Sequence, residues 1–232
     1  MKQRIALVDD DKNILTSVTM ALEAAGFAVS AYSDGATALR GLMETPADLA
    51  VLDIKMPRMD GIELLKRIRE RSSMPVMFLT SKDDEADQLA GLRHGADDYV
   101  TKPFSQKLLL ERIRTILRRQ ELLQQPSENQ PPQVCMLGNL TLDEGRHLCL
   151  WKKRPVDMTV TEFLLVRALT EHPGHVKSRE QLMSAAYGET LDADDRTIDS
   201  HIKRIRAKFR AADPSFNAIE TVYGAGYRYN HD

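Results

Sequence analysis

A chain of 232 residues fits two domains of ordinary size better than one, and each half is long enough to bury its own core. Its 32 basic and 34 acidic side chains leave a formal net charge of −2, and the balance holds by parts: 18 of each sign over residues 1–119 and 14 of each over 134–232, with two glutamates between. Net charge therefore decides nothing about nucleic-acid binding, and only local patches remain to be weighed. No run approaches about eighteen consecutive apolar residues, and the opening MKQRIALVDD lacks the apolar segment of a signal peptide, so the expectation is a soluble, cytoplasmic protein without direct membrane insertion.

Along the first half, short apolar runs at 5–8, 28–32, 49–52, 76–79 and 99–100 read as strands. Stretches with helical spacing at 14–25, 36–44, 62–70, 86–94 and 105–119 alternate with them. This alternation predicts an α/β fold with a parallel sheet covered on both faces, whose functional crevice lies beyond the carboxyl ends of the strands. At 120–133, QELLQQPSENQPPQ, glutamine, proline and serine replace apolar periodicity, which marks a linker. From 136 to 156, alternating apolar positions and the turn residues Leu137-Gly138-Asn139 and Asp143-Glu144-Gly145 predict small antiparallel strands. Helical segments follow at 160–171, 178–187 and 195–211, and the closing IETVYGAGYRY, with Gly224 and Gly226, predicts a hairpin. Three helices and a hairpin fit a winged helix-turn-helix, although periodicity alone also allows other small α+β folds. Cys135 and Cys149 have no histidine or cysteine neighbours at metal-ligand spacing and read as reduced thiols in or near the small sheet.

Chemistry gathers at the strand ends. Asp9, Asp10 and Asp11 follow the first strand and Asp53 follows the third, so Asp9, Asp10 and Asp53 are expected to converge at one end of the sheet. Carboxylates that close repel one another, and a divalent cation relieves this; oxygen-only ligands without histidine or thiolate favour Mg²⁺. Thr80 ends the fourth strand and Lys102, followed by Pro103, comes after the fifth. A hydroxyl and an ammonium there suit the holding of phosphoryl oxygens. A single aspartate after a strand is more often a helix cap, which is the plain reading for Asp11 and Asp34. What carries weight is the joint pattern: acidic pair, lone aspartate, threonine and lysine-proline, each at a strand end and in this order.

The runs IALVDDD, VLDIKMPRMDG, FLTSK and DDYVTKPF make residues 1–119 resemble the receiver domain of bacterial two-component response regulators, a flavodoxin-like (βα)5 fold. The resemblance implies that Asp53 is the phosphoacceptor, a carboxylate nucleophile supplied by a sensor histidine kinase. It also implies that Asp10, Asp53 and the backbone carbonyl of Lys55 bind Mg²⁺, with Asp9 acting mostly through water. Thr80 and Lys102 would contact the phosphoryl group, Tyr99 would move inward when Thr80 engages it, and Pro103 would follow a cis peptide bond. Phosphorylation adds about −1.5 to −2 charges at neutral pH. That charge is expected to draw Thr80 and Lys102 toward Asp53 and to re-form the surface built by 86–94, 99–100 and 105–119, through which the family pairs two receivers into a homodimer. Asp97, Asp98, Arg112 and Arg119 are the charges expected on this symmetric surface. Gln88 and Leu108 depart from the family, standing where relatives often carry an opposite-charge pair.

Within residues 196–210 of the second half, six basic residues, Arg196, Lys203, Arg204, Arg206, Lys208 and Arg210, accompany a single acid, Asp199. At about 100° per residue, Ile198, Ile202, Ile205 and Phe209 share one face of a helix, while Arg196, Ser200, Lys203, Arg204, Ala207 and Arg210 share the other. A basic helix face is commonly just solvated; the helix pair before it and the glycine hairpin after it favour DNA. TVTEFLLVRAL, SREQLM, DDRTIDSHIKRIRAKF and TVYGAGYR resemble the output domain of the OmpR/PhoB class across residues 134–230. This implies a recognition helix in the major groove of promoter DNA. Arg204 is then the expected base contact, bonding two acceptors of guanine. Arg196, Thr197, His201, Lys203 and Arg206 are expected on phosphates and Ser200 at a base edge, while His201 reads equally well as a packed side chain. The loop 188–194, GETLDAD, lies where the family contacts RNA polymerase, and its acidity also suits any exposed loop. Relatives commonly carry arginine just before the hairpin glycine. Tyr223 stands there, which argues against charge-based minor-groove readout and leaves Arg228 as the substitute.

Within the class, DIKMPRMDG and DDRTIDSHIKRIR look nearest to the ChvI group of alphaproteobacterial regulators, which implies a membrane sensor kinase of the ChvG type. The competing reading is a Mg²⁺-dependent phosphohydrolase, which also places an aspartate nucleophile after a strand. Such enzymes commonly carry a second carboxylate two residues on, where this chain has Lys55.

Overall fold

The computed structural model describes residues 2–81, 95–124, 134–188 and 196–230. The helix expected at 86–94, Gln88 within it, and residues 189–194 of the acidic loop lie outside the described residues, as do the side chains of Arg119 and Arg196. The chain divides into two compact units, Met1–Leu117 and Arg118–Asp232.

In the first unit, β1 (Arg4–Val8), β2 (Ala28–Tyr32), β3 (Leu49–Asp53), β4 (Val76–Ser81) and β5 (Asp98–Lys102) form one parallel sheet in the order β2-β1-β3-β4-β5. Strand side chains alternate between faces, and here both faces are dry. Ile5, Leu7, Leu49, Val51, Met77 and Leu79 pack with α1 (Lys12–Ala24) and α4 (Gln106–Gln124). Ala6, Val8, Ala50, Leu52, Val76 and Phe78 pack with α2 (Gly35–Glu44) and α3 (Gly61–Arg69). Each large side chain so buried contributes roughly 1.5–3 kcal/mol. This is why the strands read as continuous apolar runs in the sequence.

The helices begin where aspartates cap them: Asp11 accepts the N–H of Asn13 (2.8 Å), Asp34 that of Thr37 (2.9 Å) and Asp60 that of Glu63 (2.7 Å). Asp11 and Asp34 are thus caps. Gly61 opens α3 so close to β3 that a Cβ there would lie 2.2 Å from the carbonyl oxygen of Asp53, so only glycine lets the helix start beside that strand end. At the other end of α3, Arg69 donates to the carbonyls of Gly95 (2.7 Å) and Met74 (2.6 Å) and to Asp97 (3.2 Å), tying the helix to the flanks of β4 and β5. Helix α4 continues through Gln124, five residues into the stretch expected to be linker. Glu121, Leu122 and Leu123 are good helix formers and the first proline arrives only at Pro126.

The second unit opens with an antiparallel sheet of β6 (Val134–Leu137), β7 (Leu140–Asp143), β8 (Leu148–Trp151) and β9 (Arg154–Pro155). Lys152 and Lys153 form the two-residue turn between β8 and β9 at φ 48° and 64°. Helices α5 (Val160–Thr170), α6 (Arg179–Tyr187) and α7 (Arg196–Ala212) follow, then the hairpin β10 (Ile219–Val222) and β11 (Gly226–Tyr229). Capping boxes start α5 at Thr159 with Glu162 and α6 at Ser178 with Gln181. The hairpin is pinned to the turn before α6 by paired backbone bonds between Lys177 and Tyr227. A Cβ on Gly226 would lie 2.1 Å from the Lys177 carbonyl. Trp151 packs edge-on to Phe209 and Phe216, which stack 4.3 Å apart, and its indole donates to Asp213 (2.9 Å). Both cysteines are free thiols; Cys135 is exposed, and burial pushes the Cys149 thiol up to about 12.

Candidate functional site

The pairing of Val8 with Leu52 puts the residues after β1 beside the end of β3. One carboxylate oxygen from each of Asp9, Asp10 and Asp53 therefore lies within 4.8 Å of the others. Asp9 is fully buried, Asp53 is 6 % exposed, and Asp10 faces solvent. From the end of β5, the Lys102 ammonium reaches across β4 and donates to Asp53 Oδ1 (2.7 Å) and Asp9 Oδ2 (2.8 Å). The other oxygen of Asp9 accepts the N–H of Asp11 (2.9 Å). Burial pushes the Asp53 carboxyl above its usual range, Lys102 opposes this, and the charges of Asp9 and Asp10 add to it. Burial also works against the Lys102 ammonium, but its bonds to Asp53 and Asp9 outweigh that and raise its pKa.

Thr80 is buried at the end of β4, one residue beyond the Leu79 that pairs with Asp53. Tyr99 is half-buried against the core layer of α2 and α3, Lys55 is exposed two residues past Asp53, and the Lys102–Pro103 peptide is cis. Three carboxylates against one ammonium leave negative charge, and all the converging acidic ligand atoms are oxygens. That donor set fits a hard divalent cation such as Mg²⁺.

The charges expected on a pairing surface are placed differently. Asp97 is fully buried, accepting the N–H of Val76 (3.0 Å) as well as Arg69. Asp98, at 2 % exposure, is bonded through both oxygens to one Arg112 nitrogen (2.9 and 2.8 Å). Breaking such a desolvated pair to satisfy a partner would cost about 3–5 kcal/mol. Asp97, Asp98 and Arg112 are therefore internal braces, and Leu108, one turn before Arg112 on α4, is an exposed large apolar side chain.

On α7 the outward face is Asp199, Lys203, Ala207 and Arg210, whereas Thr197, Ser200 and His201 are buried. Burial takes Thr197 and Ser200 off the face where DNA contacts were expected and favours the packed reading of His201 over the phosphate contact, because α5, α6 and the hairpin pack around more of the helix than its four apolar positions suggest. Arg204 is corrected as well. Its Nε donates to Glu162 and its Nη2 to His201 Nδ1 (2.8 Å), so the Nε–Nη2 edge of its fork is engaged within the domain. With Nδ1 accepting, the neutral imidazole carries its proton on Nε2, toward the Tyr187 hydroxyl (2.6 Å). Burial first, then the Arg204 charge, holds His201 down at about 3, which keeps it neutral. Arg206 donates to the Ile219 carbonyl (3.0 Å) and the Thr221 hydroxyl (2.9 Å), binding the helix to the hairpin instead of reaching a phosphate.

Arg228 pairs with Glu220 across the hairpin (2.8 Å), and Tyr223 stands at its tip, 95 % exposed. Asp199 is held by Arg179 (2.8 Å) and the Tyr227 hydroxyl (2.6 Å). The residue that sequence reasoning missed is Glu162. Its signal was present in TVTE, the spacing of a capping box, which places a carboxylate at the buried first turn of α5.

Residues 5–114 match the response regulator receiver domain family, and residues 153–229 match the family described as transcriptional regulatory protein, C terminal. The transcriptional regulatory protein BaeR of Escherichia coli O6:H1 is 40% identical over 232 residues, 99% of this chain and 93% of its own. The alkaline phosphatase synthesis transcriptional regulatory protein PhoP of Bacillus subtilis is 36% identical over 232 residues, 98% and 97%. Among solved structures, response regulator DrrB, a Thermotoga maritima OmpR/PhoB homolog, aligns over 99% of this chain and 100% of its own at 31% identity and a TM-score of 0.51.

Proposed function

This chain belongs to the OmpR/PhoB-type two-component response regulators, and from that premise we propose that Asp53 accepts a phosphoryl group from a sensor histidine kinase and so controls binding of promoter DNA. The protein is a regulator of transcription rather than a phosphohydrolase. The observation that carries the proposal is the Lys102 ammonium held between the buried carboxylates of Asp9 and Asp53. A nucleophile, its acidic neighbours and a cation for the transferred oxygens are thereby within reach of one another.

In the transfer, an Asp53 oxygen attacks phosphorus, the bond from phosphorus to the donor's imidazole nitrogen breaks, and that nitrogen keeps the electron pair. Asp10, Asp53 and the Lys55 backbone carbonyl would hold Mg²⁺, with Asp9 acting mostly through water, and the ion would supply positive charge to the phosphoryl oxygens. Lys102 turns from Asp53 to one phosphoryl oxygen, the Thr80 hydroxyl donates to another, and Tyr99 follows into the space Thr80 leaves, with Pro103 fixing the chain behind Lys102. The same groups assist hydrolysis of the phosphoaspartate, so the receiver acts only on itself.

The receiver spans residues 1–119, the linker 120–133 and the DNA-binding domain 134–232. Phosphorylated receivers pair as a homodimer through α4 and β5 around Leu108, with Asp97, Asp98 and Arg112 bracing that surface from within and Arg119 beside it. Helix α7 enters the major groove with Lys203, Ala207 and Arg210 outward, Arg196 meets a phosphate, and Tyr223 and Arg228 of the hairpin lie over the minor groove. Residues 188–194 meet RNA polymerase. The motif likeness to the ChvI group supports a membrane-bound ChvG-type kinase. Among the described residues no helix is long and apolar enough to cross a membrane; a cytoplasmic location is part of the same proposal. Acetyl phosphate labelling tests the core of this reading: Asp53→Asn is expected to abolish it, and persistent labelling would place the acceptor elsewhere.

A further inference from the structure

Helix α7 bears six basic residues in its sequence, yet the structure withholds several from solvent. Glu162 is completely buried in the first turn of α5, and both of its oxygens are engaged. Oε2 accepts the backbone N–H of Thr159 (2.8 Å) and the Lys208 ammonium (2.6 Å), while Oε1 accepts Nε of Arg204. Arg204 in turn bonds His201, and His201 the Tyr187 hydroxyl at the end of α6. One carboxylate thus anchors two turns of the recognition helix through residues four apart.

We propose that Glu162 is a positioning residue for DNA recognition: it draws the Arg204 guanidinium and the Lys208 ammonium inward, so that α7 meets DNA through Lys203, Ala207 and Arg210. The inference rests on the DNA reading proposed above and adds to it a residue that touches no DNA. Its physical effect is on the ratio of specific to non-specific binding. Every lysine or arginine that reaches a phosphate strengthens binding to any sequence and adds about 0.9 to the slope of log affinity against log salt. Two cations tied to a buried carboxylate, Arg204 nearly covered and Lys208 partly so, lower non-specific affinity, while the base-reading face, fixed in rotation by the same bonds, is kept.

The test uses the full chain and two duplexes of equal length, one enriched from a random pool by the wild-type protein and one scrambled. Glu162→Gln keeps the side-chain volume and a capping-box acceptor but cannot hold two cations. Its salt slope on the scrambled duplex is expected to steepen by about 1 to 2, with a several-fold loss of preference for the enriched duplex. Glu162→Gln combined with Lys208→Ala is expected to recover part of the slope. An unchanged slope, or weakening on both duplexes alike, overturns the proposal and leaves Glu162 a packing residue. Should Glu162→Gln fail to fold, Lys208→Ala alone decides: a wild-type slope supports an inward ammonium, and a slope shallower by about one overturns it. A wild-type protein that enriches no sequence overturns the DNA reading itself, which separates the two failures.

Discussion

The carboxyl end of the parallel sheet and helix α7 are both crowded with charge, but they resolve it in opposite ways. At the sheet end, three carboxylates gather around one ammonium, and burial holds Asp53 above its usual pKa. Beneath α7, one buried carboxylate is surrounded by two cations, and Glu162 is held down at about 2 because Arg204 and Lys208 outweigh its burial. The first arrangement is short of positive charge, the condition that the proposed cation and phosphoryl chemistry requires. The second is satisfied internally and serves as a brace. A charged cluster therefore announces chemistry only where its members remain in want of partners.

The largest test of the contrast is Asp53→Asn. Beyond abolishing labelling, it is expected to raise the stability of the receiver at neutral pH. A carboxyl whose folded pKa lies above its unfolded one binds protons more tightly in the native state, so its contribution to stability falls as pH rises through that interval. A lower urea midpoint for the variant would show that Asp53 braces the fold as Glu162 does.

Next in size, Arg204→Ala is expected to destabilise the DNA-binding unit by about 3–5 kcal/mol, because it leaves a buried carboxylate with one partner fewer. Arg210→Ala should change stability by no more than about 0.5 kcal/mol and cost about 1–3 kcal/mol of discrimination between enriched and scrambled DNA. Urea unfolding and DNA titration on both variants check this; the reverse pattern would return base reading to Arg204.

Acid should separate the two regions further. Glu162 is held at about 2 against 4.5, and His201 at about 3 against 6.5. Both folded values are depressed, so the stability they contribute is present above the unfolded values. It is lost as pH falls, for His201 from 6.5 toward 3 and for Glu162 from 4.5 toward 2. The urea midpoint of the DNA-binding unit should drop through this range, and His201→Asn should flatten its upper part. The smallest effect is expected at the turn between β8 and β9. There Lys153→Gly relieves a lysine at φ 64° and should raise the thermal midpoint by an amount worth about 1 kcal/mol or less.

Much of the receiver is legible in the sequence. Continuous apolar runs such as LAVLD and VMFLTS, short and alternating with helical stretches, read as strands buried on both faces, and parallel strands carry their loops to one end. Asp9, Asp10, Asp53, Thr80 and Lys102 were therefore placed together by strand order alone. Chain order alone left Asp97 and Asp98 reading as surface residues, because nothing in the sequence shows that Arg69 and Arg112 come back to meet them. On α7 the helical wheel located Ile198, Ile202, Ile205 and Phe209 correctly and misjudged Ser200 and Arg204. A wheel assumes one buried side, and this helix is packed by α5, α6 and the hairpin together.

The sequence by itself thus determined most of the elements, their periodicities, the caps at Asp11 and Asp34, and the acidic end of the sheet, since each follows from local geometry or from the direction of a strand. Tertiary structure alone decided which charges are available. Whether a guanidinium faces DNA or a buried carboxylate depends on a partner forty-two positions away in the chain, as Arg204 and Glu162 show, and no local pattern encodes that distance.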